Sequence, residues 1–382
     1  MKHFVPVRVR IEKDVVTYVT RTLKGKGVLR VSIGQEVTPD EIIGSSEVTS
    51  GFRTLNLSTL LSVSPNEVEK LMIKTVGQRI YQGELLALKK GGIFGGKKAV
   101  ISPTDGILDF FNNKTGEVKI SLSPKRFDLP AGVYGIVEIV DQQKGLVVIR
   151  TQVSRIYGLF GSGRPRDGIL HILGKRDDLI AKSTIQTNFD GQILVGGSLF
   201  FKDTISAAIS SGVSGIISGG LNAKEYKAMA SGRLVFPKKL DNDIGISIVV
   251  CEGFGTIPIG SDIFEVLREF EGKFVFLDGN KASINLPASL SACLTKIRST
   301  RLPPLQSSGS TLEMDHAAQV AELAIGMRVR IIGNYYLGGQ GKLAAIDDSV
   351  TLLPSGIKTY LATVETSFKK IQVPVANLEV IV

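Results

Sequence analysis

The sequence predicts a multi-domain α+β protein, rich in β-strand, with an α/β unit at its centre. Three observations carry this reading. Short Val/Ile-rich runs, many alternating apolar and polar residues, occupy both ends of the chain. Between residues 191 and 286 the period changes, and strands alternate with helix-length segments, the pattern of βα units and a mostly parallel sheet. At 382 residues the chain has length for about two to four domains, each able to bury its own core.

Composition narrows the class. Two cysteines, Cys251 and Cys293, cannot form a disulfide framework, which fits a reducing compartment. The opening residues, MKHFVPVRVRIEKDVV, lack the apolar core and cleavage site of a signal peptide, so a cytoplasmic location is expected. No run reaches the 18 or so apolar residues of a spanning helix, so no membrane association is expected. The formal net charge of +10 is uneven. Residues 1–175 hold 26 Lys and Arg against 16 Asp and Glu, residues 176–320 hold 14 against 15, and residues 321–382 hold six against five. The excess therefore lies in the first 175 residues, where it draws polyanions or serves only as a solubilising surface.

Residues 1–60 read as strands, in VRVRIEKDVVTYV and GVLRVSIGQEV. A unit then recurs at a spacing of 43: Gly34-Gln35-x-Val37 with Glu41-Ile42-Ile43 matches Gly77-Gln78-x-Ile80 with Glu84-Leu85-Leu86. Two pseudo-equivalent hairpins are expected. Ser64-Pro65-Asn66-Glu67 between them is a helix start, with a capping residue, Pro at the first helical position and Glu closing a capping box.

Gly77, Ile80, Gly83-Glu84-Leu85-Leu86 and Ser102-Pro103-x-Asp105-Gly106-Ile107 together resemble the barrel-sandwich hybrid, the fold of biotinyl and lipoyl carrier domains. A carrier lysine on a tight hairpin is what that resemblance would imply for function. Here the hairpin position holds Lys89-Lys90 and Lys97-Lys98 around glycine pairs, without an acceptor context, and no cofactor is expected. The four lysines are candidate phosphate contacts.

GVYGIVEIV and LVVIRTQV, joined by Asp141 to Gly145, form a hairpin. The Gly-rich stretch that follows carries Arg164 and Arg166, candidates for an anion although the stretch is neither a P-loop nor a dinucleotide fingerprint. In the α/β unit the three strand-to-helix loops are the ligand candidates, through Gly196 and Gly197, Gly219 and Gly220, and Glu252, Gly253 and Gly255. Ligands of open α/β sheets bind at the carboxyl ends of strands, where glycine lets amides approach an anion at a helix start. The same glycines are also what tight turns require.

Residues 296–321, with Pro-Pro and Ser-Ser-Gly-Ser, read as a linker. After it, Gly326-Met-Arg328-Val-Arg330-Ile-Ile-Gly-Asn-Tyr335-Tyr336-Leu-Gly338-x-x-Gly341 resembles the KOW motif of NusG-class elongation factors and several ribosomal proteins. That resemblance implies an SH3-like β-barrel over 322–382. It also implies RNA or a transcription or translation partner at its loops, with Arg328, Arg330, Tyr335 and Tyr336 as contacts; a protein partner of the barrel is the other implication. The order of parts, a basic barrel-sandwich-like β region over 1–175, an α/β domain over 176–295, a linker and a KOW barrel, resembles an uncharacterised family of bacterial KOW-motif proteins and implies architecture rather than an activity.

Catalytic patterns are sparse. His3, His171 and His316 form no metal motif, and two cysteines make no zinc site. Cys251 ends the apolar run ISIVVC and reads as a small core residue. Asp241 and Asp243 offer too few ligands for a metal loop. A non-enzymatic binding or scaffold protein, acting near transcription or translation, is expected. The alternative is an enzyme or sensor whose α/β domain takes a phosphorylated or anionic small molecule at its glycine loops.

Overall fold

The computed structural model describes residues 2–382 apart from 24, 49–50, 92–95, 123–124, 231–233, 236–238, 241–242, 289–292 and 301–318. Most of the expected linker, Asp241 and the tip of the Lys89–Lys98 hairpin thus lie outside the described residues. The fold is β-rich and spread over several sheets.

Four parallel strands, Arg166–Ile172, Ile193–Val195, Gly215–Leu221 and Ser247–Phe254, lie side by side in the largest sheet. Alternation divides their side chains between two cores. Leu194, Ile216 and Ile248 pack toward Ile205, Ala208 and Tyr226 of helices Lys202–Ser210 and Ala223–Ala230. Ile193, Ile217 and Val249 pack on the other side, with Ile263 and Leu267 of helix Ser261–Arg268. Burial on both faces is why Ile193–Val195 and the first half of Ser247–Phe254 read as unbroken apolar runs rather than alternating ones. On one side of these four strands the sheet turns antiparallel. Phe274–Asp278, Ser283–Pro287 and Leu146–Tyr157 continue it with antiparallel pairing, so one sheet spans residue 175.

Ile11–Thr22 runs antiparallel along Leu146–Tyr157, and the hairpin partner Gly135–Asp141 closes at Asp141 opposite Leu146. Next to these strands the repeated unit is visible as repeated hydrogen bonding. Gln35 and Gln78 each cap their own turn, accepting from Ser32 N at 3.1 Å and Thr75 N at 3.0 Å. Glu41 and Glu84 do the same, from Thr38 N at 3.2 Å and Tyr81 N at 2.9 Å. Val37 pairs with Gly135 as Ile80 pairs with Gly106. A side chain at either glycine would collide with the next strand, at Arg150 O or Ser121 O, so only glycine fits.

The second copy is nested within the first. Strand Ile42–Val48 pairs with Lys125–Pro130, Val48 opposite Lys125, and everything between belongs to the inner copy. That inner unit has its own four-stranded antiparallel sheet, ordered Phe52–Asn56, Glu117–Ser121, Gly106–Asn112, Arg79–Ile80. It also holds the expected helix, Pro65–Leu71, with Glu67 accepting from Ser64 N at 3.4 Å.

The C-terminal sheet departs from the expected closed barrel. Its order is Val320–Glu322, Phe4–Arg8, Leu378–Ile381, Arg328–Ile331, Gln340–Ile346, Leu361–Glu365, Lys370–Pro374, an open path whose end strands do not pair among the described residues. The N-terminal strand is part of it. Val7 lies opposite Val380 in parallel register, and Val5 joins Val329, Ile331, Leu343 and Val364 in the core.

Candidate functional site

The glycine loops at the carboxyl ends of the parallel strands are packed junctions. Gly196, Gly197, Gly219 and Gly220 are all buried. Three of their amides donate to backbone carbonyls: Gly196 to Ile217 O, Gly219 to Gly197 O and Gly220 to Ser198 O, at 2.9, 2.9 and 3.1 Å. A Cβ at Gly197 would strike the Asp178 backbone, and one at Gly220 the Gly255 carbonyl. These glycines let neighbouring backbones approach. Their amides do not form an open cradle for an anion. Gly253 and Gly255 take φ of +145° and +103°, conformations that favour glycine, and the Gly255 amide bonds Leu221 O at 3.0 Å.

Glu252, just before these two glycines, serves a different purpose. It points away from any loop opening, into a buried cluster of charges where the C-terminal sheet meets the central one. Alternation in Arg328–Ile331 sends Val329 and Ile331 into the sheet's own core and Arg330 to the opposite face. Helix Ser261–Arg268 covers that face, with Asp262 in its first turn, where the helix dipole favours a carboxylate. The Arg330 guanidinium, 0% exposed, meets three carboxylates. Its Nη2 and Nη1 donate to Glu252 at 2.7 and 3.1 Å, its Nε and Nη2 to Asp262 at 2.7 and 2.9 Å, and its Nη1 to Glu379 Oε1 at 3.0 Å. Arg10 enters from the N-terminal side and donates to Glu252 Oε2 at 2.9 Å and Cys251 O at 2.8 Å. Arg8, at 3.6 Å from Glu379, brings the set to three arginines and three carboxylates.

Arg330 was expected to face a polyanion, and the structure corrects this: no donor of its side chain is left for a phosphate. The surrounding carboxylates raise its pKa further above the ordinary value against the pull of burial. Burial also draws the Asp262 carboxyl upward, but the hydrogen bonds and charge of Arg330, with Gln340 bonded at 3.0 Å, outweigh it and hold the carboxyl below its ordinary range. Removing one member of such a cluster leaves buried charge uncompensated, at a cost of about 3–5 kcal/mol. Sequence reading missed Arg10, Asp262 and Glu379. Of the three only Glu379 carried a signal, a charge inside the otherwise apolar strand Leu378–Ile381.

Cys251 lies at the edge of this cluster, fully buried, with its thiol pushed up to about 12 by burial and by Glu252 beside it. It is a core residue without thiolate character at neutral pH. Asp243 is held by two arginines, Arg164 Nε at 2.7 Å and Arg166 Nη2 at 2.9 Å, so both expected anion contacts already share a carboxylate. Among the described residues no three His, Cys, Asp or Glu side chains group to hold a metal.

Of the four hairpin lysines, Lys89 and Lys98 bond Ser62 at the end of helix Leu57–Leu61, to its carbonyl at 3.1 Å and its hydroxyl at 2.6 Å. Lys90 and Lys97 are exposed. The remaining candidates gather on the C-terminal sheet. Tyr335 is 94% exposed and Tyr336 40%. The neighbouring turn brings Phe368, 95% exposed, and Lys369, whose Nζ lies 4.7 Å over the Tyr336 ring. Arg328 stands in a cross-strand row with Lys342, Glu365 and Lys370. Phe368, Lys369, Lys342 and Lys370 were not foreseen, because the turn that presents the first two is placed by strand pairing. The chain matches no family model, no curated protein and no solved structure.

Proposed function

We propose that the protein is a non-enzymatic scaffold that binds single-stranded RNA through the aromatic and basic end of its C-terminal sheet, in association with transcription or translation. The observation that carries this is the exposure of Tyr335 and Phe368, 94% and 95%, beside a lysine stacked on Tyr336. Aromatic rings left in water next to cations match what unpaired bases require: a π-face to stack on and positive charge for the backbone. The KOW-like sequence at 326–341 points to the same partner class. The alternative, an anionic metabolite at the glycine loops, finds no open cradle of amides.

The test is fluorescence anisotropy with a single-stranded RNA 20-mer over a salt series. Wild type is expected to bind, with log Kd rising against log salt by about 0.7 per phosphate contacted. Stacking contributes about 1–3 kcal/mol per base, so Tyr335→Ala with Phe368→Ala is expected to weaken binding at least tenfold. Wild-type affinity in that variant, or no binding at low salt by the intact protein, overturns the reading.

A further inference from the structure

The inner β unit carries a second surface of the same chemistry, on the outer face of its four-stranded sheet. Strand register defines that face. Phe52, Ser121, Ile107 and Arg79 lie in one cross-strand row, and Thr54, Lys119 and Phe110 in the next. The opposite face is the unit's core, with Leu108, Val118 and Ile120 at 0–1% exposure. An antiparallel sheet with one face on a core ordinarily shows polar residues on the other. Here Phe52 is 62% exposed, Phe110 55% and Ile107 45%, so large apolar side chains stand among the polar ones of the outer face.

Cations are interleaved with the rings. Lys119 Nζ lies 4.2 Å over the Phe52 ring, with the carboxylate of the bulge residue Asp109 3.8 Å away. Arg79 reaches over Tyr81, itself 55% exposed, at 5.7 Å. Residues 52–121 hold ten Lys and Arg against six Asp and Glu. Phe52 and Phe110 sit two strand spacings apart, roughly 10 Å across the sheet.

From this we infer that the outer face of the inner sheet is a base-stacking platform for single-stranded nucleic acid, Phe52 and Phe110 taking bases while Lys119 and Arg79 meet phosphates. A protein partner or second copy would be satisfied by the apolar area alone. The lysine and arginine set over the rings, and the positive balance of this segment, favour a polyanion with π-faces. The inference rests on the nucleic-acid reading above but concerns a different surface.

Binding of the same RNA 20-mer separates the two. Phe52→Ala with Phe110→Ala in the full chain is expected to weaken binding about tenfold or more, with the salt slope little changed. Phe52→Leu with Phe110→Leu should weaken it comparably, whereas Phe52→Tyr with Phe110→Tyr should restore it. Lys119→Ala with Arg79→Ala should flatten the slope by about 1.4, or 0.7 for each contact. Phe52, Phe110 and Arg79 are exposed and Lys119 is half-buried at the sheet surface, so circular dichroism should show an unaltered fold. Unchanged affinity in the Phe52 and Phe110 variants, while Tyr335→Ala with Phe368→Ala abolishes binding, overturns this inference and leaves the first reading standing. A shift in sedimentation of the Phe→Ala variant without a change in RNA affinity also overturns it, since the face then joins copies of the chain.

Discussion

Arg330 shows how one side chain sets the relation between two sheets. Its guanidinium reaches Glu252 and Asp262 of the central unit and Glu379 of its own sheet, a geometry no lysine reproduces because only the planar fork offers paired donors. The cluster also ties stability to pH. Asp262 is held below its ordinary value of 3.8, so it binds fewer protons folded than unfolded. Its contribution is fully present above about pH 5 and is lost as pH falls through the folded value. Urea unfolding of wild type should therefore weaken steeply between pH 5 and 3. In Asp262→Asn, already destabilised at pH 7, the acid limb should be shallower. Equal acid limbs in the two proteins would show that Asp262 is not held by Arg330. The KOW resemblance offered Arg330 only as a nucleic-acid contact. What buries it is Asp262 and its helix, 68 residues away, and strand alternation carries no record of that partner.

At the scale of elements, the nested repeat is the clearest consequence of local rules. The spacing of 43 residues, with glycines at Gly34 and Gly77 in left-handed turns of φ +85° and +92°, was readable because turn chemistry is local. Nesting was not, because it depends on Val48 pairing with Lys125 across the whole inner copy. The α/β helices were readable for the same local reason, and the antiparallel margins of that sheet were not. Nesting leads to a prediction. Among the described residues the inner core, from Leu57 and Val68 to Ile120, draws on no residue of the outer one, and the outer core, with Leu29, Ile43, Val133 and Ile149, draws on none of the inner. Val48 and Lys125 face each other as a cross-strand pair, about 5 Å apart between Cα atoms. Replacing residues 49–124 by Asn-Gly, which favours a two-residue hairpin turn, should leave the remaining chain folded, with a cooperative thermal transition within several degrees of wild type. Loss of hydrogen-exchange protection in Leu146–Tyr157 would show instead that the outer unit needs the inner.

For the whole molecule, the two ends of the chain form one sheet. Phe4–Arg8 lies between Val320–Glu322 and Leu378–Ile381, supplies Val5 to the C-terminal core and leads directly to Arg8 and Arg10 in the charge cluster. The KOW-like segment thus leans on residues more than 300 positions earlier, and a boundary drawn at residue 322 cuts through its sheet. An open sheet deprived of an inner strand exposes unpaired backbone on both sides of the gap and loses the apolar contacts that the strand supplied. Deleting residues 1–8 should therefore loosen the C-terminal sheet selectively. Amides of Leu378–Ile381 should exchange faster by tenfold or more, while those of Gly215–Leu221 keep their protection, since both faces of that strand are covered within the central unit. RNA affinity should fall with the loss of order around Tyr335 and Phe368, and a synthetic peptide spanning residues 1–10, added in trans, should recover part of it by restoring the missing strand. If exchange at Leu378–Ile381 is unchanged in the truncated chain, the N-terminal strand is a passenger on a sheet that is stable without it, and the coupling of the two termini is wrong.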